Sequence, residues 1–146
     1  MHHSTDGSLA DHLDPEANAD AIAWLTAQSP SCHSDLGASM ILAAADCGDC
    51  TAWSPSFVQC RYVAFITNRR VFAIGAGQRT AYYRVPRDMV AVASESGGTA
   101  AVIGSDWVRF ELWRVDRPAP DLRFWTLFAY VAARATATAR RSRSAP

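Results

Sequence analysis

The sequence predicts one domain that is mainly β, an antiparallel barrel or sandwich with a helix at each end. Short segments of strand-like alternation recur at intervals of about ten residues from residue 38 onward. A strong helical pattern occupies the C-terminal end, and a shorter one precedes the strands. A chain of 146 residues is long enough for one full hydrophobic core and short for two.

The N-terminal region is predicted to hold a single helix. Residues 1 to 13 are polar, lack periodicity and are expected to be disordered. Asp14 is a good N-cap and Pro15 suits the first helical position, so a helix should begin there. It should end before Pro30, because the residue preceding a proline disfavours helical backbone.

Seven segments are predicted as strands. Between the first and second of them, DCGDCTAWSPS is predicted to be a loop from its Asp, Gly, Pro and Ser content. The clearest hairpin is FITNRRVFAIG, in which Thr67 and Asn68 form the turn and Asn tolerates positive φ. In chain order the seven segments are SMILAAA, FVQCRYVAFIT, RRVFAIG, TAYYRVP, DMVAVAS, TAAVIG and WVRFELWR.

The C-terminal pattern predicts an amphipathic helix from about Ala119 to Ala137. Prolines open the segment, where a helix tolerates them, and apolar residues such as Leu122 and Trp125 then recur at spacings of three and four. Arginines occupy the last turns, where they interact favourably with the helix dipole.

Several of these motifs resemble those of GRAM and bacterial pleckstrin-homology-like (PH-like) domains. VAFITNRRVFAIG is similar to their hairpin, in which a strand ending in Thr-Asn or Thr-Asp turns into Arg-Arg, and YRVPRDMVAVASESGG and VRFELWR are similar to later segments. The resemblance covers about residues 38 to 137. It implies a PH-like barrel of about seven antiparallel strands capped by the C-terminal helix, with Trp125 and Phe128 closing the open end.

The same resemblance implies a non-enzymatic protein-interaction or self-association module. The inositol-phosphate sites of PH domains use basic residues between the first two strands, but the corresponding loop here, DCGDCTAWSPS, contains no Arg. Trp53 and Phe57 in that loop could still contact a partner or, weakly, a membrane surface. No nucleophile motif, phosphate-binding loop or dinucleotide-binding glycine pattern is present, so we expect no enzyme activity and no cofactor.

Charge is distributed unequally along the chain. Residues 1–60 contain eight acidic residues and no Arg, whereas residues 61–146 contain all 14 Arg and six acidic residues. Either the acidic segment folds against the basic one, or the basic segment meets an anionic partner. We therefore expect three regions, an acidic extension with one helix, a PH-like domain and a basic flexible tail, with the bounds 1–36, 37–138 and 139–146.

The anionic-partner alternative makes the protein a peripheral binder of a membrane surface or a nucleic acid. Arginines clustered around the central strands, with tyrosines between them, are typical of such surfaces. Arginines that converge on one exposed face would favour it, whereas arginines paired with the N-terminal acids would favour the interaction module. The candidate ligand or partner residues are Arg61, Arg70, Arg84, Arg87 and Trp53.

A small zinc-binding module is a further alternative. Cys47 and Cys50 have the C-x-x-C spacing of one edge of a tetrahedral site, which Cys32, His33 or Cys60 could complete. A second C-x-x-C pair is missing. Redox catalysis is disfavoured, because no helix follows the motif and the neighbouring Asp residues would raise the thiol pKa.

The sequence predicts a cytoplasmic protein with no transmembrane segment. Its longest nearly uncharged apolar run, Leu36 to Ala45, is too short to span a bilayer. The N-terminal residues show neither the basic region nor the apolar stretch of a secretory signal.

Overall fold

The structure, a computed structural model, describes the backbone of residues 1–144 and the side chains of residues 1–136 and 139–143. The described backbone forms seven strands, four α-helices and 3₁₀ turns at Leu9–His12 and Arg87–Met89. The strands are β1 His2–Ser4, β2 Thr51–Trp53, β3 Val63–Thr67, β4 Arg70–Ala76, β5 Thr80–Arg84, β6 Thr99–Ala100 and β7 Trp107–Glu111. The helices are α1 Ala19–Gln28, α2 Ser34–Ala43, α3 Val90–Glu95 and α4 Leu122–Ser144.

All seven strands belong to one mixed sheet in the order β1-β2-β3-β4-β5-β7-β6. β1 runs parallel to β2, and every other neighbouring pair is antiparallel. The predicted combination of a sheet with helices is therefore confirmed, but the sheet is not closed into a barrel. Helices cover its faces instead, so the apolar side chains are buried without the two edges meeting.

The first predicted strand, SMILAAA, is wrong, because this segment lies in α2. His33 caps the helix, its Nδ1 accepting a hydrogen bond from the backbone N–H of Asp35 at 3.2 Å. Leu36 and Met40, four residues apart, are both fully buried against the sheet. A short apolar run does not distinguish a strand from a buried helix, and here the capped, Ala-rich segment forms the helix.

The predicted strand DMVAVAS is also wrong. It forms the 3₁₀ turn Arg87–Met89 followed by α3. Pro86 ends the preceding strand, and the N–H of Met89 donates to its carbonyl at 2.9 Å, so the chain begins to wind at once. Only Ala93 of this segment is fully buried. One buried residue is typical of a short surface helix, whereas a strand inside the sheet would bury more.

Two strands form where the sequence predicts none. β1 lies in the segment expected to be disordered and pairs with β2, which lies in the predicted loop. The N–H of His2 donates to the carbonyl of Cys50 at 2.9 Å, and that of Ser54 donates to Ser4 at 3.1 Å. The predicted strand FVQCRYVAFIT begins only at Val63, because the preceding residues form turns.

The predicted hairpin is confirmed, but its turn is Asn68–Arg69, one residue later than the predicted Thr67–Asn68. Asn68 and Arg69 both have positive φ, 47° and 60°, the pattern of the tight type I′ turn that suits the twist of two antiparallel strands. The C-terminal helix is also confirmed, though α4 extends beyond the predicted end at Ala137. The carboxylate of Asp121 accepts a hydrogen bond from the N–H of Phe124 at 3.0 Å in its first turn.

Two hydrophobic clusters lie on opposite faces of the sheet. One contains buried residues of α2 and α4, including Trp125. The Trp125 ring lies at centroid distances of 5.1 Å from Phe110 and 6.1 Å from Phe128. The other contains Leu13 and Leu25 from the N-terminal region. The sheet is thus the middle of three layers.

The N-terminal residues contribute to this common structure. Residues 1–36 supply β1, α1 and part of the second cluster, and the predicted boundary between residues 36 and 37 falls inside α2. The boundary between residues 138 and 139 falls inside α4, and the last two residues of the predicted tail lie outside the described residues. In the described part of the chain, no helix has both the length and the apolar character needed to cross a bilayer.

Candidate functional site

Acidic residues of the first 60 positions form ion pairs with arginines of the rest of the chain. These contacts join helices and loops that are far apart in sequence. The acidic segment therefore folds against the basic one, which is the first of the two interpretations of the charge asymmetry. The pairs are Asp14–Arg140 at 3.7 Å, Asp20–Arg84 at 3.1 Å, Asp46–Arg123 at 2.5 Å and Asp49–Arg134 at 2.7 Å.

Arg84 is the most deeply buried member of this set. At the end of β5, its guanidinium bonds both oxygens of Asp20 at 3.1 and 3.2 Å and a carboxylate oxygen of Asp106 at 3.1 Å. Its Nε donates to the carbonyl of Val71 at 3.0 Å, and it lies 4.7 Å from the ring centroid of Trp107. The Arg84 charge is fully engaged inside the protein.

Asp20 is held as a carboxylate in this cluster. Burial disfavours its charged form, but the charge and hydrogen bonds of Arg84 outweigh burial and hold the pKa of Asp20 below its usual value. The indole N–H of Trp107 donates to it at 2.9 Å, and the N–H of Ala21 donates at 2.8 Å. These donors fix the carboxylate in one orientation.

Arg70, at the start of β4, is in a different state from Arg84. Its guanidinium lies 3.9 Å from Asp106, an ion pair without a hydrogen bond, and its side chain is only 17% exposed. Among the described residues, no group accepts a hydrogen bond from its buried Nε. Burial and the neighbouring charge of Arg84 lower the pKa of Arg70, so this cation is poorly stabilised by the protein itself.

A cavity of about 520 Å³ brings three of the predicted ligand residues together. Arg70, Arg84 and Arg87 line it at the end of the sheet, with Asp20 and Asp106 beside them. α4 and the loop of residues 104–106 close it from the sides. Two acidic members of the cluster were not predicted from the sequence, because Asp20 and Asp106 lie 64 and 22 residues from Arg84 and only the charge asymmetry hinted at such pairing.

The other two predicted ligand residues have structural positions. Arg61 donates to the carbonyl and hydroxyl oxygens of Ser29, which joins the segment after α1 to the start of the sheet. Trp53 is only 4% exposed, and its indole N–H donates to the carbonyl of Asp6 at 2.9 Å. The expectation that Trp53 contacts a membrane or partner is therefore corrected, since the ring is buried under the N-terminal segment.

The four cysteines lie in two separate pairs. The N–H of Cys32 donates to the carbonyl of Cys60 at 2.7 Å, while Cys47 and Cys50 share the loop before β2. In residues 1–144, no three His, Cys, Asp or Glu side chains are close enough together to hold one metal ion. The zinc alternative built on Cys32, Cys47, Cys50 and Cys60 therefore has no four-ligand geometry to support it.

Burial also disfavours the thiolate form of three of these cysteines. It raises the pKa of Cys32 and of Cys47 to about 11 and that of Cys50 to about 12. The charge of Asp46 raises the pKa of Cys47 further, in the direction expected from the sequence, but burial is the larger cause. A thiolate nucleophile at neutral pH is disfavoured at all three positions.

A larger groove of about 830 Å³ lies between β7 and the start of α4. Its charged residues pair mainly with one another. Arg109 and Glu111 are 2.5 Å apart, and Arg114 contacts both Glu111 and Asp116. Arg117 also lines the groove, but it is exposed. Among the described residues, the groove therefore has no buried guanidinium nitrogen without a partner, unlike the cavity at Arg70.

The outward face of α4 carries a stripe of large apolar side chains. Phe124, Leu127 and Val131 are 51%, 38% and 56% exposed, and their spacing of three and four residues places them on one side of the helix. The opposite side of α4 is buried through Trp125, Ala129 and similar residues. α4 is therefore apolar on two sides, of which the sheet covers one.

A scan against protein-family models, a search of curated proteins and a search of solved structures each find no match to this chain. The resemblance to PH-like domains remains a prediction from sequence motifs.

Proposed function

We propose that this protein is a non-enzymatic self-association module, in which the exposed apolar face of α4 packs against the same face of a second copy. The observation that carries the proposal is the stripe of Phe124, Leu127 and Val131 on an otherwise well-packed helix. Three large side chains in line along one helix face are typical of a surface that is covered in the functional state. The PH-like resemblance and a cytoplasmic location are consistent with this function and remain proposals too.

A second copy fits the stripe because the stripe is complementary to itself. In an antiparallel pair of α4 helices centred between Leu127 and Phe128, Phe124 of one copy lies opposite Val131 of the other. The same register places Asp121, before the first turn, opposite Arg134. α4 contains five Arg and no acidic residue, and Arg134 already pairs with Asp49 of its own chain at 2.7 Å, so Asp121 would add a second carboxylate near it. A two-fold contact of this kind repeats each favourable pair twice.

The internal ion pairs also favour an interaction module. Asp20, Asp46 and Asp49 engage arginines of the same chain, so much of the basic half is neutralised in place. Addition of a strand at the sheet edge is a weaker route to association, because β1 has three residues and β6 has two. The exposed face of α4 is a larger apolar surface than either of these short edge strands.

Sedimentation equilibrium of the full chain over a range of concentrations tests the proposal. We expect the wild-type mass to approach twice 15.9 kDa, and the variant Leu127→Glu/Val131→Glu to remain at 15.9 kDa. Charges placed in a desolvated helix pair oppose association strongly. The full chain is needed, because removing residues 1–36 would also remove core residues such as Leu13 and Leu25.

The control is Val102→Glu, which adds the same charge at a residue that is 85% exposed. Its neighbours Ala101 and Ile103 belong to the cluster on the face of the sheet opposite α4. This variant should dimerise like the wild type. A wild-type protein that stays monomeric at all concentrations, or an equal effect of the control, would reject the proposal, provided that circular dichroism shows all three proteins folded.

A further inference from the structure

We propose that the cavity lined by Arg70, Arg84 and Arg87 is a binding site for a phosphoryl group, carried either by a small soluble ligand or by a lipid headgroup. This site is separate from the α4 face and is independent of self-association. It uses the side of α4 that faces the loop of residues 104–106.

Arg70 provides the strongest argument. A guanidinium has five N–H donors. In the part of the chain that the structure describes, no group accepts a hydrogen bond from the guanidinium of Arg70, and the carboxylate that pairs with it, Asp106, is 3.9 Å away. Leaving a largely buried cation without acceptors is costly, and such groups in native proteins call for an ion, a water or a ligand. A phosphoryl oxygen in the cavity would supply the missing acceptor.

The two carboxylates beside the cavity do not neutralise it. Asp20 is engaged by Arg84, Trp107 and its own helix, and Asp106 is bonded to Arg84. Three arginines against two aspartates leave one formal positive charge at the cavity. Arg87 adds to this excess, since it is exposed and forms no hydrogen bond or ion pair with the described residues.

The arrangement of the arginines favours a phosphoryl group over a carboxylate. Arg70 approaches from the start of β4 and Arg87 from the turn after β5, so their donors come from different strands. A tetrahedral phosphoryl group offers three oxygens to donors from separate directions, and Arg forks bind it in pairs of hydrogen bonds. The volume of about 520 Å³ lies within the usual range for small-molecule sites.

Close packing of the loop backbone sets the position of the acidic wall. A Cβ added at Gly104 would come within 2.9 Å of a carboxylate oxygen of Asp20 and 3.4 Å of Asp106. A side chain there would force the Asp20 carboxylate, which binds Arg84, to shift. Gly104 therefore keeps the cavity open at this side while Ser105 contributes a hydroxyl to its rim.

Isothermal titration calorimetry of the full chain with inorganic pyrophosphate tests the site. We expect saturable binding at one site per chain and at least a tenfold weaker affinity in Arg70→Gln, because that change removes a charged fork from the cavity. Arg70→Lys should retain part of the affinity, since it keeps the charge and loses the fork. Arg87→Gln is a second variant for the same pyrophosphate titration. Arg87 is exposed, so this change does not put folding at risk.

The matched control is Arg79→Gln, which removes one exposed positive charge in the turn between β4 and β5, outside the cavity. Its affinity for pyrophosphate should stay within about twofold of the wild type. Equal losses in the Arg79 and Arg70 variants would show non-specific charge attraction and would overturn the proposal. Absence of saturable pyrophosphate binding would overturn it as well.

Vesicles separate the two sources of the phosphoryl group. The chain is floated with phosphatidylcholine vesicles that do or do not contain phosphatidic acid, whose headgroup is a phosphomonoester. Arg70-dependent flotation with phosphatidic acid, added to pyrophosphate binding, supports the headgroup source. Pyrophosphate binding without flotation supports a soluble ligand.

Discussion

Asn18 is the residue that most directly joins the N-terminal segment to the central hairpin. Its amide donates to the carbonyls of Asp14 and Arg69 at 2.7 and 2.8 Å, and its Oδ1 accepts from the N–H of Val71 at 2.8 Å. The Asn18 side chain is fully buried, so the three backbone groups that it contacts cannot form these hydrogen bonds with water instead. Asn18 thus satisfies the backbone at both ends of the hairpin turn.

We expect Asn18→Ala to lower the free energy of unfolding by about 2 to 4 kcal/mol, because it leaves buried backbone groups without partners. Chemical denaturation followed by tryptophan fluorescence measures this loss. Gln28→Ala, an exposed change in the same helix, should cost less than about 0.5 kcal/mol. Comparable costs for the two variants would show that the Asn18 network is not what holds the segment in place.

The buried thiols predict how stability depends on pH. From an ordinary value of 9.0, burial raises the pKa of Cys32 and Cys47 to about 11 and that of Cys50 to about 12. Below pH 9 these thiols are protonated in both the folded and unfolded states. As pH rises above 9, the unfolded thiols release protons while the folded ones keep them, so stability falls.

The free energy of unfolding should therefore decrease between pH 9 and pH 11, and by pH 11 each buried thiol should account for a loss on the order of 2 kcal/mol. The melting temperature should decrease over the same pH range. Buried tyrosines add to the fall above pH 10, so the comparison between variants isolates the thiols. Cys50→Ala should show a shallower fall than wild type, whereas Cys60→Ala, at an exposed position, should not. Parallel pH curves for the two variants would contradict this origin.

At the residue scale, the sequence predicted the β3–β4 turn but placed it at Thr67 and Asn68, one residue earlier than the Asn68–Arg69 turn of the structure. Arg69 lies in the turn with positive φ and donates to the carbonyl of Leu13 at 2.7 Å, while Arg70 begins β4 and lines the cavity. Asn18 and Asp106 carried no comparable signal. Their roles depend on partners 53 and 22 residues away in sequence, and short-range patterns do not encode such contacts.

At the scale of elements, long or strongly patterned segments were predicted correctly and short apolar runs were not. α4 has a clear helical period, and the β3–β4 hairpin has both alternation and a turn signal. The α2 segment was assigned to a strand because its run of apolar residues is brief, and β1 was missed because its pairing with β2 comes from tertiary contact. Two missed strands and two misassigned helices leave the predicted strand number unchanged by coincidence.

Trp125 tests how α4 is attached to the sheet. The ring is 3% exposed and packs against Phe110, so Trp125→Ala should cost roughly 3 to 5 kcal/mol in the free energy of unfolding. Arg123→Ala, two residues before Trp125, removes only an exposed ion pair with Asp46 and should cost less than about 1 kcal/mol. Thermal melts followed by circular dichroism compare the two, and an unchanged melt in Trp125→Ala would contradict the packing described.

At the scale of the whole molecule, the charge asymmetry of the sequence is resolved by folding. Acids of the first half and arginines of the second meet across α1, α2 and α4, while the sheet separates two apolar clusters. The apolar stripe of α4 is uncovered in the monomer, and the buried Nε of Arg70, like that of Arg61, has no hydrogen-bond partner among the described residues. The stripe and the Arg70 cavity are assigned different functions, self-association for the stripe and anion binding for the arginine cavity.

Disulfide trapping at the α4 face tests the central claim, self-association through this helix, most directly. Leu127→Cys in a Cys60→Ser background places one accessible thiol next to the proposed two-fold axis, and Val102→Cys in the same background is the control on the other face. Under mild oxidation we predict that Leu127→Cys forms a covalent species of twice 15.9 kDa and that Val102→Cys remains monomeric. Equal yields from the two variants, or no dimer from Leu127→Cys, would contradict the account.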